Sequence, residues 1–297
     1  MPTPASFVDL HCHSTASDGT MRPAEVARLA KASGLSAFAL TDHDTTAGLA
    51  EARDEAVALD IDFLNGIEIS CAFPRPGTMH ILGYGIDPES PTLKSTLEEL
   101  IRARNERNER IVVALQAKGI KITMEQVRAV ATRGDPRNEN VTVGRPHIAK
   151  VLQMLGVVKN NAQAFRDYLG GSGLVYADKE RLSSQQAIDL IHSAGGLACL
   201  AHAFQLRKDN WAQLRNEIKR LRDQGLDALE VVHTDHRESL VAELRDIAKH
   251  TGLLCTGGSD FHGSNKKHIQ LGYAQNGRRV PREWFDRLVG KLKEPVD

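Results

Sequence analysis

The chain carries no excess of charge: its 297 residues include 38 Lys and Arg against 38 Asp and Glu. A protein that grips long nucleic acid ordinarily needs a strong positive excess, so no long nucleic-acid partner is expected, although a local basic pocket for a small anion is compatible with a zero balance. Cysteine is scarce. Cys12, Cys71, Cys199 and Cys255 lie far apart with no CxxC pair, which argues against a disulfide framework or a cysteine-zinc knuckle and suits buried thiols in a reducing cytosol. No stretch approaches the roughly 18 uninterrupted apolar residues of a membrane span. The segment Met1-Pro-Thr-Pro-Ala5 starts no basic region followed by an apolar run, so no signal peptide is expected. These absences point to a cytoplasmic protein without a membrane partner. What the sequence does have in number is histidine, at twelve residues.

Period and punctuation divide the chain in three. In the first ninety residues, short apolar runs (7–13, 37–41, 61–70, 79–84) alternate with helix-like segments at 23–34 and 49–59. The first helix has Pro23 in its first turn and Gly34 at its end, the asymmetry that helices favour. The same grammar returns after residue 184, with strands expected at 197–201, 228–232 and 253–256 between helices at 184–194, 211–224 and 239–250. Alternating strand and helix implies an α/β fold with a parallel sheet, either a closed barrel or an open doubly wound sheet. The stretch 92–179 shows only helical periodicity (93–118, 124–131, 146–156, 162–169). We therefore expect an α/β domain formed by residues 1–91 and 180–297, split by an all-helical insertion over 92–179. Trp211 is expected in the core.

Each expected strand ends in residue types that bind metals. The first ends His11-Cys-His13 with Asp18 in the following turn, and the second ends Thr41-Asp-His43-Asp44. The third carries Glu68, the fourth opens at His80 and the fifth ends at His202. The sixth holds Glu230 and ends at His233, and the last ends Gly258-Ser-Asp260-Phe-His262. The carboxyl ends of parallel strands form one rim where active sites gather, and residues i and i+2 of a strand share a face. So many imidazoles and carboxylates on one rim call for cations. Nitrogen and oxygen ligands without thiolate suit two or three divalent ions, Mn²⁺ first, with Zn²⁺ or Fe²⁺ as alternatives. Glu68 has two oxygens with which to bridge a pair of them.

In this order, His11-Cys-His13 with Asp18-Gly19, Thr41-Asp42-His43-Asp44, Gly66-Ile-Glu68, His80, Ala201-His202 and Gly258-Ser-Asp260-Phe-His262 resemble the PHP (polymerase and histidinol phosphatase) family of the amidohydrolase type, over about residues 6–90 and 185–275. The resemblance implies a distorted seven-stranded (β/α) barrel that holds two or three divalent ions and hydrolyses phosphate esters. It implies His11, His13, Glu68 and Asp260 as ligands of a first ion, and Glu68, His80 and His202 as ligands of a second. Asp18, His43 and His262 would hold a third ion or touch the phosphate. The family's AHP motif is Ala201-His202-Ala203 here, a change that leaves the ligand in place.

Within the family, the helical insertion with Arg102-Ala-Arg104-Asn105 and Gly144-Arg145-Pro146-His147 resembles the nucleoside 3′,5′-bisphosphate phosphatases. That likeness implies a phosphatase that removes the 3′-phosphate of a small nucleotide to give the 5′-nucleotide. His43 would be the general acid, with Asp18 as its alternative. The planar donors of Arg102, Arg104 and Asn105, with Arg145 and His147 at a helix N-terminus, are expected to clamp the second phosphate and the base. His233 is expected to contact substrate or support a ligand. Three other readings stay open: a 5′-3′ exonuclease on short oligonucleotides, a histidinol-phosphate phosphatase, and a non-catalytic PHP module.

Overall fold

A computed structural model describes residues 6–133, 141–171, 173–175, 177 and 181–294. The seven expected strands form as Phe7–Cys12 (β1), Leu35–Leu40 (β2), Asp62–Cys71 (β3), Met79–Tyr84 (β4), Leu197–Leu200 (β5), Ala228–Val232 (β6) and Leu254–Gly257 (β7). Neighbours pair in chain order. Most pairs are parallel, but β4 runs antiparallel to both β3 and β5. Beyond β7 the chain returns to β1, where the Asp260 N–H donates to the His11 carbonyl at 2.8 Å and the His13 N–H to the Phe261 carbonyl at 2.9 Å. The sheet thus nearly closes into a distorted barrel. An eighth strand, Val280–Pro281 (β8), lies antiparallel on the start of β1; two residues are too few to show an alternating pattern in sequence.

The helices are Pro23–Ala32 (α1), Leu49–Ala58 (α2), Pro91–Ala117 (α3), Met124–Thr132 (α4), Arg145–Met154 (α5), Asn161–Ala164 (α6), Ser184–Ser193 (α7), Trp211–Asp223 (α8), Glu238–Thr251 (α9) and Arg282–Leu292 (α10). The helix expected at 162–169 forms only one α-turn, α6, and then widens into a π-helical turn over Phe165–Leu169. Side-chain caps mark several starts: Ser90 accepts from the Leu93 N–H before α3, and Asn210 from the Gln213 N–H before α8. Each such cap satisfies one of the four N–H groups a helix leaves free.

Two hydrophobic cores result. One fills the barrel and its surrounding helices, with Leu10, Phe38, Ile67, Leu82, Leu200 and Leu229 among its members. The other lies among α3, α4, α5 and α6, around Ile111, Leu115, Val127, Ile148 and Leu152. Helix α3 belongs to both: Leu93, Leu97 and Leu100 enter the barrel core, Ile111, Val112 and Leu115 the second.

Candidate metal centre

The alternation of β1 sends Leu10 and Cys12 into the apolar core. The Cys12 thiol donates to the Ala39 carbonyl at 3.1 Å, so it takes no part in the site. His11 and His13 turn instead to the barrel mouth. His11 Nε2 lies 3.5 Å from both Glu68 Oε2 and Asp260 Oδ1. His13 Nε2 lies 3.2 Å and 3.3 Å from the same two oxygens. Ligands about 2.0–2.2 Å from a tetrahedral ion stand roughly 3.4 Å apart, the spacing that each imidazole nitrogen keeps to the two carboxylate oxygens, and His11, His13 and Asp260 form a group able to hold one ion. The second oxygen of Glu68, Oε1, is 2.7 Å from His80 Nδ1 and 2.9 Å from His202 Nε2, which are 3.3 Å from each other. A third group joins Asp18, His13, His43 and His262, with His262 Nε2 3.2 Å from Asp18 Oδ1. His43 Nδ1 also lies 3.0 Å from Glu68 Oε2. All nine residues expected to ligate ions come together, and Glu68 stands at their centre.

The donor set fits cations. His11 Nε2, both ring nitrogens of His13, His43 Nδ1 and Glu68 Oε2 are buried without a hydrogen-bond partner. Leaving such groups unsatisfied costs about 1–3 kcal/mol each, and a shared divalent ion satisfies several at once. The site's own charges point the same way. Burial opposes a charged His13, but the carboxylates of Asp260 and Glu68 beside it outweigh that and raise the imidazole to about 9. Burial likewise opposes ionisation of Glu68, Asp260 and Asp18. The surrounding imidazoles, together with Lys266 at Asp260, nevertheless hold all three well below the usual carboxylate range.

Burial pushes His43 down to about 3. The imidazoles around Asp18 hold it ionised, so both groups offer lone pairs to a cation.

Residues behind the ligands take supporting roles that a reading of motifs does not assign. Glu230, fully buried, accepts a hydrogen bond from the His202 N–H at 2.6 Å and lies 2.9 Å from His11 Nδ1. Asp42 accepts from the Ser14 N–H and from the Ser14 and Ser17 hydroxyls, which fixes the turn that presents Asp18. Asp42 stands inside the Thr41–Asp44 motif, so its position was visible and only its role was hidden. Lys266 Nζ donates to Asp260 Oδ2 at 2.5 Å. The backbone is strained where the ligands sit: Asp44, His202 and Asp260 have φ of 51°, 23° and 57°, a region that costs of order 1–3 kcal/mol for residues other than glycine. A Cβ on Gly258 would stand 2.4 Å from the His11 nitrogen, so only glycine lets the chain after β7 cross β1 at this point.

A cleft of about 670 Å³ opens over the centre, with Asp18, His43 and His80 on its floor. Arg75, Arg104, Arg107, Arg145 and Arg181 line its sides. Arg104 pairs with Asp44. Burial, then the charges of Arg104, Arg145 and Arg181, press the Arg107 guanidinium down to about 8. Guanidinium stays charged in proteins, so this crowding favours an anion in the cleft.

Four expected substrate contacts fall elsewhere. The period of α3 turns Arg104, Arg107 and Asn108 inward and leaves Arg102 exposed and Asn105 half-buried, and neither of the latter two lines the cleft. His147 Nδ1 accepts from the Gly144 N–H at 2.9 Å, closing the start of α5 rather than facing the cleft. His233 is buried beside the metal centre, its Nε2 3.4 Å from Asp260 Oδ2, and does not line the cleft.

Residues 9–233 match the profile of the PHP domain. The chain is 33% identical to the 3′,5′-nucleoside bisphosphate phosphatase of Chromobacterium violaceum over 98% of this chain and 99% of that one. It is 34% identical to the 5′-3′ exoribonuclease of Haemophilus influenzae, covering 86% of this chain and 89% of the relative. Among solved structures, an inferred metal-dependent phosphoesterase from Bifidobacterium adolescentis superposes with a TM-score of 0.84 at 31% identity, covering 99% of this chain and 98% of the other.

Proposed function

The chain belongs to the PHP domain family and is a metal-dependent phosphoester hydrolase, and from that premise we propose that it removes the 3′-phosphate of small nucleoside 3′,5′-bisphosphates to give 5′-nucleotides. The observation that carries this reading is the juxtaposition of two anion-binding regions in one cleft. The metal centre forms the floor, and five guanidinium groups line the sides. A substrate with two phosphates can place one at each. In this reading residues 1–91 and 180–297 form the catalytic barrel and 92–179 a cap that brings Arg104, Arg107 and Arg145 over the floor. His11, His13, Glu68 and Asp260 hold one ion, Glu68, His80 and His202 a second, and Asp18, His43 and His262 a third. When bound, the ions lower the pKa of water and neutralise phosphate oxygens; a nitrogen and oxygen set without thiolate favours Mn²⁺, then Zn²⁺ or Fe²⁺. The forked donors of Arg104, Arg107 and Arg145 orient the second phosphate.

Elemental analysis of the purified protein, followed by phosphate release from nucleoside bisphosphates, nucleoside monophosphates, histidinol phosphate and an aryl phosphate, tests the proposal. Arg107→Lys keeps the charge but removes the fork. It should raise KM for the bisphosphate by about tenfold, since hydrogen bonds to charged groups contribute about 1.5–3 kcal/mol, and leave the aryl phosphate unaffected. Equal changes for both substrates count against the reading.

A second feature favours short oligonucleotides as additional substrates. Removing a 3′-phosphate and removing the 5′-terminal nucleotide of a short chain can break the same O3′–P bond; only what the phosphorus carries differs. Behind the short turn Ala203–Leu206 that follows His202 lies a groove of about 580 Å³, lined by Phe204, Arg207, Lys208, Trp211 and Arg237. Gln205 of the same turn lines the catalytic cleft. Trp211, expected in the core, is 45% exposed. Cations interleaved with an accessible ring suit single-stranded nucleic acid.

A further inference from the structure

Glu230 touches two of the groups assigned above, and touches each differently. It sits on β6, with none of its surface exposed. One carboxylate oxygen, Oε1, lies 2.9 Å from Nδ1 of His11, and the other, Oε2, accepts the backbone N–H of His202 at 2.6 Å. His11 belongs to the first ion group, where its Nε2 faces Glu68 and Asp260. His202 belongs to the second, where its Nε2 faces the other oxygen of Glu68. The two groups thus share Glu68 on the cleft side and Glu230 behind.

We propose that Glu230 is a positioning residue that couples the two ion sites, fixing the tautomer of His11 for one and the backbone that carries His202 for the other. The inference rests on the assignment of these residues as ion ligands. An ionised carboxylate only accepts hydrogen bonds. Facing Nδ1 of His11, it requires the ring proton there and leaves the Nε2 lone pair directed at Glu68 and Asp260, where that nitrogen has no hydrogen-bond partner. Such an outer carboxylate also makes the ligand more basic. The second contact answers a different need. His202 adopts φ 23° and ψ 64°, a strained backbone that persists only where surroundings over-determine it. The Glu230 oxygen holds the N–H of that residue, and the Gln205 N–H bonds to its carbonyl at 2.8 Å. With the peptide held from both sides, the imidazole is directed toward Glu68 Oε1.

Glutamine cannot replace Glu230. Its single carbonyl oxygen can serve only one of the two N–H groups, and its amide N–H₂ must face the other. If the amide faces His11, the proton of that ring moves to Nε2 and blocks the ion. If it faces His202, the turn loses its anchor. Either arrangement weakens one site directly and the other through the shared Glu68.

The test uses the full chain, titrated with Mn²⁺ or Zn²⁺ by calorimetry, with bound metal counted by elemental analysis. Glu230→Gln should bind at least about tenfold more weakly, the scale of outer-shell substitutions, with both ions affected to a similar extent, whereas His80→Ala should weaken the second ion far more than the first. Circular dichroism of the metal-free variants checks folding. The wild-type protein supplies a second readout that needs no variant: histidine ¹⁵N–¹H spectra of the Zn²⁺-loaded chain should show the His11 proton on Nδ1. Zn²⁺ bound through Nδ1, or a Glu230→Gln protein that loads both ions with wild-type affinity, overturns the coupling while leaving the ligand assignment standing. A wild-type chain that binds neither metal ends both.

Discussion

At the scale of single residues, the site competes for protons as well as for cations. His13 is raised to about 9 because Asp260 and Glu68 outweigh its burial. A metal must displace that proton, so ion affinity should rise with pH through the range in which His13 gives it up. The sign reverses for the metal-free protein. A folded-state pKa raised from 6.5 to about 9 contributes stability fully below pH 6.5 that is lost as pH rises through 9. Thermal melts between pH 6 and 9.5 should therefore show the metal-free form losing stability while the loaded form holds, and parallel curves would contradict this balance. The ligands were legible in the sequence because HxH and DxH place two donors on one face of an extended segment. Glu230 was named among the residues of the sixth strand but given no role, and Arg107 was not singled out. A lone carboxylate inside an apolar strand has no spaced partner to mark it, and Arg107 differs from Arg102 only in its angle around α3.

Elements were easier to read where burial is complete. All seven barrel strands stand close to their expected positions because runs such as Leu197–Leu200 are buried throughout. The eighth strand is too short to carry a pattern, and the π-turn after α6 leaves no mark in a helical period. Trp211 shows the opposite error. Being large and apolar it was expected inside, yet it opens α8 with its ring at the groove. Accessible aromatic rings contribute about 1–3 kcal/mol per stacked base. Trp211→Ala should accordingly raise KM for 5′-phosphorylated tri- to pentanucleotides by roughly tenfold or more and leave the nucleoside bisphosphate unchanged. A loss shared equally by both would assign the ring to stability instead.

For the whole molecule, ions that bind the folded chain and not the unfolded one add stability by mass action, about 2.7 kcal/mol for a site at one hundred times its Kd. In a molecule of this size each kcal/mol shifts Tm by about 2–4 °C. Stripping the protein with EDTA should lower Tm by about 5–10 °C, with recovery on adding Mn²⁺. An unchanged Tm would mean the ligands close on no ion. A loss of strand periodicity after residue 91 marks where the expected insertion begins. The sharing of one helix between two cores leaves no such mark, because apolar residues keep their spacing along α3 whichever core receives them.

That shared helix has a kinetic consequence. Its 27 residues form a strut roughly 40 Å long, one end embedded in each core, and Arg104 ties its middle to the barrel rim through Asp44. A strut cannot flex like a hinge, so reactants should enter and leave through a mouth of constant width. Turnover then answers to solvent viscosity through diffusion alone, with no domain swing to wait for.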